Sequence, residues 1–309
     1  MRVCNRMRLF TIYRKTFADL SNPKILLAYL VPFLGFTAFL ALGIAPTQDG
    51  ETVGSTLAQQ ETWLHETFIL MSVFLGVAIP LLALCAVFCA ITLATECERG
   101  SLRILLSKPV KRWEVLLGTF FAIVSFATLV GLVNLLVTAI MLVEFADINS
   151  AAIQGSVFSL LPANLVFAMF GASVVTATGL ALAVFTKDRL QTTLGALVIP
   201  ALYFLFVPVR IFGQDMYENF HLYLFDVSYH FGHVFVVIYR AINGTVPSET
   251  KEGLVVFTGV YSPLEDSNPA SASFEAVEHV PMELSVLLLT LFTIAAIMAA
   301  LYRFQRMDV

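Results

Sequence analysis

The chain has 309 residues, of which 58% are hydrophobic and only 13% charged, and its mean hydropathy is +0.84. A soluble domain carries about 25% charged residues, so this composition excludes a soluble enzyme, a nucleic-acid-binding protein and a disordered chain. The net charge of -4 is small, but basic and acidic residues are segregated along the chain.

The first 24 residues combine basic side chains with a helical apolar pattern. Apolar residues recur every three or four positions, at Val3, Met7, Phe10, Tyr13, Phe17 and Leu20. This pattern predicts an amphipathic helix on the inner leaflet, ended by Ser21, Asn22 and Pro23. A signal peptide is not expected, because the basic region is too long. The helix is interpreted either as a basic anchor that fixes topology or as an elbow that also touches a partner.

Six apolar runs are long enough to cross a bilayer, which takes about 20 helical residues. They lie near 25–45, 67–95, 115–143, 159–185, 191–212 and 284–302. Only Arg210, at the end of its run, is charged within them. Because unpaired backbone amides are costly in hydrocarbon, these runs must be helices. The sequence therefore predicts an all-α membrane protein, with residues 1–309 forming a single transmembrane domain.

The distribution of Lys and Arg predicts the orientation. Of the 18 basic residues, 15 lie before the first span, between spans two and three, between spans four and five, or after span six. The opposite side has three, Arg210, Arg240 and Lys251, among 16 acidic residues. By the positive-inside rule both termini are cytoplasmic and residues 213–283 are external. The predicted location is the cell membrane.

The segment 220–242 resembles a seventh span in hydropathy. It contains three histidines, Asp226 and Arg240, and a seventh crossing would place Arg303 and Arg306 outside. We therefore expect an external helix between spans five and six, either re-entrant or interfacial in the outer leaflet. The stretch 243–282 is acidic and interrupted by prolines, which predicts an irregular external loop.

The spans lack the residues that several membrane functions need. No Asp, Glu, Lys, Arg or His lies in the middle of a span, which disfavours an ion-coupled carrier. Asn134, the most polar side chain at such a depth, is expected to join helices. Neither His-Glu-x-x-His nor a P-loop motif occurs. The chain is thus not expected to be an ATPase, and energy for any work must come from another subunit.

Three weaker patterns suggest metal binding or glycosylation, and a structural role explains the two metal patterns as well. Cys85 and Cys89 lie one helical turn apart, a spacing that suits a soft metal but more often reflects packing. His230 and His233, with Asp226 one turn earlier, are weak candidates for an external metal site, and interfacial polarity explains them as well. Asn243-Gly244-Thr245 matches a glycosylation acceptor. No cysteine lies on the predicted outer face, so a disulfide framework is not expected.

The cytoplasmic loop after span two, ATECERGSLRILLSKPVKRWEVLLG, has the most informative pattern. Glu96 and Glu98 are acidic on a side that is otherwise basic. Gly100 and Ser101 provide a break and a capping hydroxyl, and a positive φ at Gly100 would exclude β-branched residues there. A short helix then carries an apolar stripe of Leu102, Leu105 and Leu106. Pro109 ends it, ahead of Arg112, Trp113 and Glu114.

This loop resembles the signature of type-2 ABC exporter permeases. The shared run is E-x-E-R-G-S-L-x-x-L-L-S-x-P-V-x-R-x-E-x-x-x-G, where the family usually has Glu-x-Glu, Gly-Thr-Leu, two leucines, Pro-Val and a Glu before the third span. Ser101 stands where Thr is commoner. The resemblance implies six spans and a coupling helix that docks on an ATPase. It assigns to that loop Glu96, Glu98, Arg99, Gly100, Ser101, Leu102, Leu105, Leu106, Pro109, Arg112 and Glu114.

The resemblance also implies the partners. Two ABC ATPase subunits would bind ATP and Mg, and a second permease subunit, identical or not, would complete the transporter within membrane lipid. Nucleic acid is not an expected partner. Lys187, Asp188 and Arg189 would form a second cytoplasmic contact, although they are equally well a plain topological turn.

The resulting prediction is the membrane subunit of an ATP-driven transporter, an exporter in the first instance. The alternative is a mechanotransmitter that acts on an external partner, as in the similar permease that helps to mature the copper sites of nitrous oxide reductase. An intramembrane enzyme and a passive scaffold are remote alternatives. The side chains of the spans suit lipids, apolar drugs and peptides alike.

Overall fold

The computed structural model describes residues 2–44, 56–100, 110–264, 274–277 and 279–307. Its helices are α1 Arg2–Leu20, α2 Pro23–Ile44, α3 Leu57–Glu98, α4 Arg112–Phe145, α5 Ala152–Thr186, α6 Arg189–Phe212, α7 Gln214–Asn219, α8 Val227–Asn243, α9 Ser248–Thr258 and α10 Met282–Gln305. A 3-10 turn covers Leu222–Leu224, and strands β1 Tyr261–Pro263 and β2 Phe274–Ala276 pair antiparallel.

Six of these helices, α2, α3, α4, α5, α6 and α10, are long and apolar enough to cross a membrane. The predicted spans and the all-α fold class are confirmed. The second span is longer than expected, because a capping box at Thr56 starts α3 ten residues before the predicted boundary. With 42 residues, α3 is about 63 Å long. It exceeds the roughly 30 Å hydrocarbon core.

The long helix α3 is irregular in two places. Met71–Leu81 and Ala90–Ala94 are π-helical, and the first stretch contains Pro80. Proline donates no backbone hydrogen bond, and π-turns accommodate such interruptions. The helix nevertheless continues to Glu98.

Helix α5 lies at the centre of the bundle, where it packs against α3, α4, α6, α8 and α10. Close approach depends on small residues: an added Cβ at Gly179 would lie 2.7 Å from Sγ of Cys89 on α3. Cys85 and Cys89 are free thiols buried in this contact, and Sγ of Cys89 donates to the carbonyl of Thr176. Both cysteines therefore fill a helix–helix interface.

The N-terminal helix α1 ends at Leu20, as predicted, and packs along α4. Phe17 meets Phe126 edge-on at 5.2 Å between ring centroids, and Leu20 is fully buried. Helix α2 follows at once from Pro23 and is held to α4 by Asn134, whose Nδ2 donates to the Tyr29 hydroxyl at 2.6 Å. Phe17, near the end of the apolar stripe of α1, thus contacts α4.

The external region differs from the predictions in two respects. Helix α8 begins at Val227 and is buried on every face from Ser228 to Val236, enclosed by α5, α6, α9 and α10. A helix lying in the outer leaflet would leave one face uncovered, so that alternative is wrong. The re-entrant alternative stays a prediction.

The stretch 243–282 is also more regular than predicted, since it contains α9 and the two strands. The prolines do not interrupt these elements because they lie at their ends. Pro247 precedes α9, Pro263 ends β1 and Pro281 precedes α10. Proline is tolerated at helix starts and in edge strands.

Candidate functional site

The end of α3 that is predicted to be cytoplasmic carries the first part of the predicted coupling loop. Thr95–Glu98 form its last turn, and Arg99 caps it. Gly100 has a φ of +68°, the left-handed conformation that commonly ends helices and favours glycine. Of the coupling-loop residues, Ser101, Leu102, Leu105, Leu106 and Pro109 lie outside the described part of the chain.

Glu96 pairs with a residue that the sequence did not suggest. Its Oε1 lies 3.4 Å from Nζ of Lys15 on α1, and the two side chains are 34% and 57% exposed. The sequence predicts that Glu96 and Glu98 pair with Arg99, Arg103 or a partner cation, and that pairing stays a prediction beside the contact with Lys15. An exposed pair of this kind contributes about 0.2–1 kcal/mol.

Arg112 and Glu114 at the start of α4 have positioning contacts. Oε2 of the fully buried Glu114 accepts the backbone N–H of Lys111 at 2.8 Å, which caps the helix. Nη1 of Arg112 donates to the carbonyls of Phe304, Gln305 and Met307 at 2.7, 3.0 and 2.6 Å. One guanidinium thus closes the C-terminal end of α10, a role that sequence spacing could not reveal.

The second predicted contact adjoins the first. Lys187 ends α5 with a φ of 56°, and Oδ1 of Asp188 caps α6 by accepting the N–H of Gln191 at 2.7 Å. A cavity of about 470 Å³ lies between this turn and the end of α3. It is lined by Thr95, Glu98, Arg99, Asp188, Arg189, Leu190 and Thr193. The two predicted contact segments therefore form one recessed surface that presents both signs of charge.

At the other end of the bundle, a buried ion pair joins α6 to α8. Nη1 of Arg210 lies 2.6 Å from Oδ2 of Asp226, and the two side chains are 9% and 0% exposed. The other carboxylate oxygen caps α8 by accepting the N–H groups of Ser228 and Tyr229. The guanidinium also donates to the carbonyls of Phe257 and Thr258 at the end of α9. We name these contacts, which lie at the end predicted to be external, the external clasp.

Two further residues complete the external clasp. The hydroxyl of Tyr217 donates to Oδ2 of Asp226 at 2.9 Å, and burial together with the Asp226 charge raises the pKa of Tyr217, so it stays protonated. Gly259 has a φ of +66°, and an added Cβ would lie 2.8 Å from Cδ of Arg210. Arg210 and Asp226 were singled out separately from the sequence, which gave no sign that they pair.

The structure brings His230 and His233 together but separates them from Asp226 in their contacts. Asp226 is engaged by Arg210, whereas Nδ1 of His230 and Nδ1 of His233 lie 3.0 and 2.8 Å from Oγ of Ser285 on α10. Among the described residues, no cluster of three metal-ligating side chains occurs. The two histidines therefore join α8 to α10.

Hydrogen-bond geometry assigns the histidine tautomers. Nε2 of His230 lies 3.1 Å from the carbonyl of Leu224 and must carry a proton. With a single proton on the His230 ring, its Nδ1 accepts from the Ser285 hydroxyl, and the Ser285 oxygen accepts from Nδ1 of His233. Within the described residues, Nε2 of His233 has no hydrogen-bond partner. Burial and the neighbouring His230 and His279 lower the pKa of His233 to about 4.

The glycosylation candidate has a structural contact as well. Nδ2 of Asn243 donates to the carbonyl of Ser159 at 2.8 Å, which holds the end of α8 against α5. Its amide nitrogen, the atom that a glycan would modify, is therefore engaged in packing.

The fold and these surfaces define a multi-pass α-helical membrane protein with a recessed face at one end and a clasped unit at the other. Residues 10–309 match the family model described as ABC-2 family transporter protein. The chain therefore belongs to this family and is a membrane permease subunit of an ABC transporter. A comparison with curated proteins gives no match.

Proposed function

We propose that this chain is the membrane-spanning subunit of an ATP-driven exporter whose ATP and Mg are bound by separate ATPase subunits. Two permease subunits would pair, each docked on one ATPase. The observation that carries the proposal is the recessed surface of about 470 Å³ between the end of α3 and the α5–α6 turn. Its Glu98 and Arg99 immediately precede the predicted coupling helix in the sequence, and together with Asp188 and Arg189 they offer charges of both signs to a partner.

The proposed mechanism uses the length of α3. ATP would close the ATPase pair, and the coupling helix would pass that movement to Glu98. Helix α3 runs from there over 42 residues, so a displacement at one end reaches contacts with α4, α5 and α6. ATP then shifts the population between inward- and outward-facing arrangements through its different affinity for each.

The proposed orientation places both termini and this recessed surface in the cytoplasm. Support comes from the 15 basic residues on that side against three on the other. In a background with Cys4 and Cys97 replaced by Ser, a Ser248→Cys variant should react with an impermeant thiol reagent in intact cells. A Gln191→Cys variant should react only after permeabilisation. The reverse pattern would overturn the orientation.

A mechanotransmitter acting on an external partner is the second candidate. A mixed polar and apolar cavity of about 410 Å³ at the external end favours it, with Arg210, Tyr217, Tyr261 and His279 among its lining residues. Such a cavity could receive part of an external protein. In this case ATP turnover would rise when that protein is added outside, without solute movement.

The test of the transporter class is reconstitution with candidate ABC ATPase subunits from the same genome. We expect the two proteins to co-purify and the permease to change the rate of ATP hydrolysis in proteoliposomes. Co-purification without any effect on turnover would favour a passive scaffold. Failure to bind, with both proteins folded, would overturn the proposal.

A further inference from the structure

The segment 212–225, which joins α6 to α8 and which we call the connector, exposes large apolar side chains. The exposed residues are Phe212, Met216, Phe220, Leu224 and Phe225. In chain order, the three phenylalanines are 87%, 71% and 72% exposed. Exposed apolar side chains that occur together are characteristic of interaction surfaces. The connector is therefore a candidate contact surface.

Helix α7, in the middle of the connector, separates apolar from polar side chains. Tyr217 is buried and faces the bundle. Met216 and Phe220 lie one turn apart, since the N–H of Phe220 donates to the carbonyl of Met216 at 3.1 Å. Gln214 and Glu218 are also one turn apart, and Nε2 of Gln214 donates to Oε1 of Glu218 at 3.1 Å. At 3.6 residues per turn, the two pairs lie on opposite sides of Tyr217.

The two flanks of α7 have different surroundings. Gln214 and Glu218 line the mixed polar and apolar cavity of about 410 Å³, together with Tyr217. Met216 and Phe220 lie on the opposite flank, where both are exposed. Helices that lie in a membrane surface have this arrangement, with an apolar side toward the acyl chains and a polar side toward water.

The length of α6 places the connector at a membrane surface. Residues 190–209 contain no Asp, Glu, Lys or Arg, and 20 helical residues are about 30 Å long, the thickness of a hydrocarbon core. The charged residues 187–189 precede this stretch. Arg210 of the external clasp follows it, and α6 ends at Phe212. The connector therefore begins where the hydrocarbon of the membrane ends.

Two hydrogen bonds fix the backbone of the connector. The hydroxyl of Tyr217 donates to Oδ2 of Asp226 at 2.9 Å, and Nε2 of His230 donates to the carbonyl of Leu224 at 3.1 Å. Phe225 lies between Leu224 and Asp226 in the chain. The backbone that carries its exposed ring is therefore held on both sides.

We propose that the connector is a membrane-surface anchor, in which the rings of Phe212, Phe220 and Phe225 lie at the boundary between lipid headgroups and acyl chains. Gln214 and Glu218 face water on the other flank of α7. The anchor ties the external clasp to one leaflet, because the connector leads directly into α8. This leaflet is the outer one in the orientation given under Proposed function, and the anchor itself does not depend on that orientation.

Two observations favour lipid over a second copy of the chain as the contact. The exposed apolar surface of the connector continues from Leu205 and Ile211 on α6, a helix long and apolar enough to span a membrane. Asp215 and Glu218 are exposed within the connector, whereas the cores of protein–protein interfaces are depleted of charged residues. Apolar rings next to charged side chains suit the membrane–water boundary.

The test is electron paramagnetic resonance of nitroxide labels on the full-length permease in phosphatidylcholine nanodiscs, without ATPase and with Cys4 and Cys97 replaced by Ser. Labels on Met216→Cys and Phe220→Cys should collide more with oxygen, which concentrates in hydrocarbon, than with a water-soluble nickel chelate. Labels on the matched flank, at Gln214→Cys and Glu218→Cys, should show the reverse. Because nanodiscs leave both membrane surfaces open, the result is independent of the orientation and of the transporter proposal.

Two reference labels set the scale. Leu291→Cys, at an exposed position within α10, reports lipid, and Ser248→Cys, at the exposed start of α9, reports water. If the labels at Met216 and Phe220 resemble the Ser248 reference, the proposal is overturned. Shielding of these two labels from both reagents, with spin–spin broadening, would make a second copy the occupant and would overturn it as well.

A double substitution tests whether the phenylalanines hold the connector. Phe212→Ser with Phe225→Ser should shift the label at Phe220→Cys toward the water reference. Val256→Ser with Leu264→Ser, at exposed positions of the external region, should leave it unchanged. A label that stays in lipid in the Phe212/Phe225 variant would contradict the anchor.

Discussion

The two ends of the bundle are held together by opposite kinds of contact. At one end Lys15 and Glu96 form an exposed pair at 3.4 Å. At the other, Arg210 and Asp226 form a pair at 2.6 Å that is almost completely excluded from solvent. The first pair is screened and weak, whereas a buried charge that loses its partner is costly. The first end is therefore suited to rearrange around a partner, and the second to move as a unit.

The largest expected effect is at the external clasp. Asp226→Asn keeps the oxygen that caps α8 but leaves Arg210 buried without a counter-charge, which should destabilise the protein by about 3–5 kcal/mol. Denaturant unfolding in a mild detergent measures this. Asp215→Asn, at an exposed position of α7, is the matched control and should change stability by less than about 0.5 kcal/mol. Similar stability in both variants would contradict the clasp.

An intermediate effect concerns pH at the same end. His230, Tyr229, His279 and Ser285 surround His233, whose pKa falls from 6.5 to about 4 in the folded protein. Between these values the unfolded chain binds more protons, so stability should increase as the pH rises from about 4 to 6.5. Thermal unfolding across this range measures the slope.

The matched variants for this prediction are His233→Gln and His221→Gln. His221 is exposed, so its replacement should leave the pH dependence unchanged. His233→Gln should make the thermal stability less dependent on pH in this range. A wild-type slope that survives in His233→Gln would mean that another group titrates, and would contradict the assignment.

The smallest effect is expected at the other end. Glu96→Gln removes one member of an exposed pair and should cost less than about 1 kcal/mol in unfolding experiments. The affinity of the Glu96→Gln permease for an ATPase should nevertheless be lower than that of the wild type. The difference should be larger at low salt than at high salt, because salt screens the attraction between exposed charges. A large loss of stability would show that the two ends of the bundle do not differ as described.

The six spans could be predicted because hydrocarbon permits few backbone arrangements and because hydropathy directly identifies the apolar segments. Helix α8 shows the limit of that reasoning. Its histidines and Asp226 were interpreted as interfacial because a sequence shows charge without its partners, and those partners come from α6 and α10. The same holds for Arg112, which lies 192 residues before the carbonyl of Phe304 that it binds. Polar contacts between residues far apart in the chain leave no periodic pattern in the sequence.

Short external elements were missed for a related reason. The proline pattern around 243–282 was taken to break structure, but Pro247 and Pro281 precede helices, where proline is favoured. Conversely, the break at Gly100 was recognisable because a glycine followed the last polar turn of a span. Local backbone chemistry was therefore predictable, and the packing that encloses α8 was not.

The most direct test of the central claim, that the α3–α4 loop is the element that couples to an ATPase, is ATP turnover in proteoliposomes carrying Leu102→Ser together with Leu105→Ser. Burying each leucine in a partner groove contributes roughly 1.5–3 kcal/mol, so docking and permease-dependent turnover should be lost while the spans still insert. Leu224→Ser with Leu264→Ser, at exposed positions of the external region, should retain both. Undiminished docking and turnover in the Leu102/Leu105 variant would contradict the account.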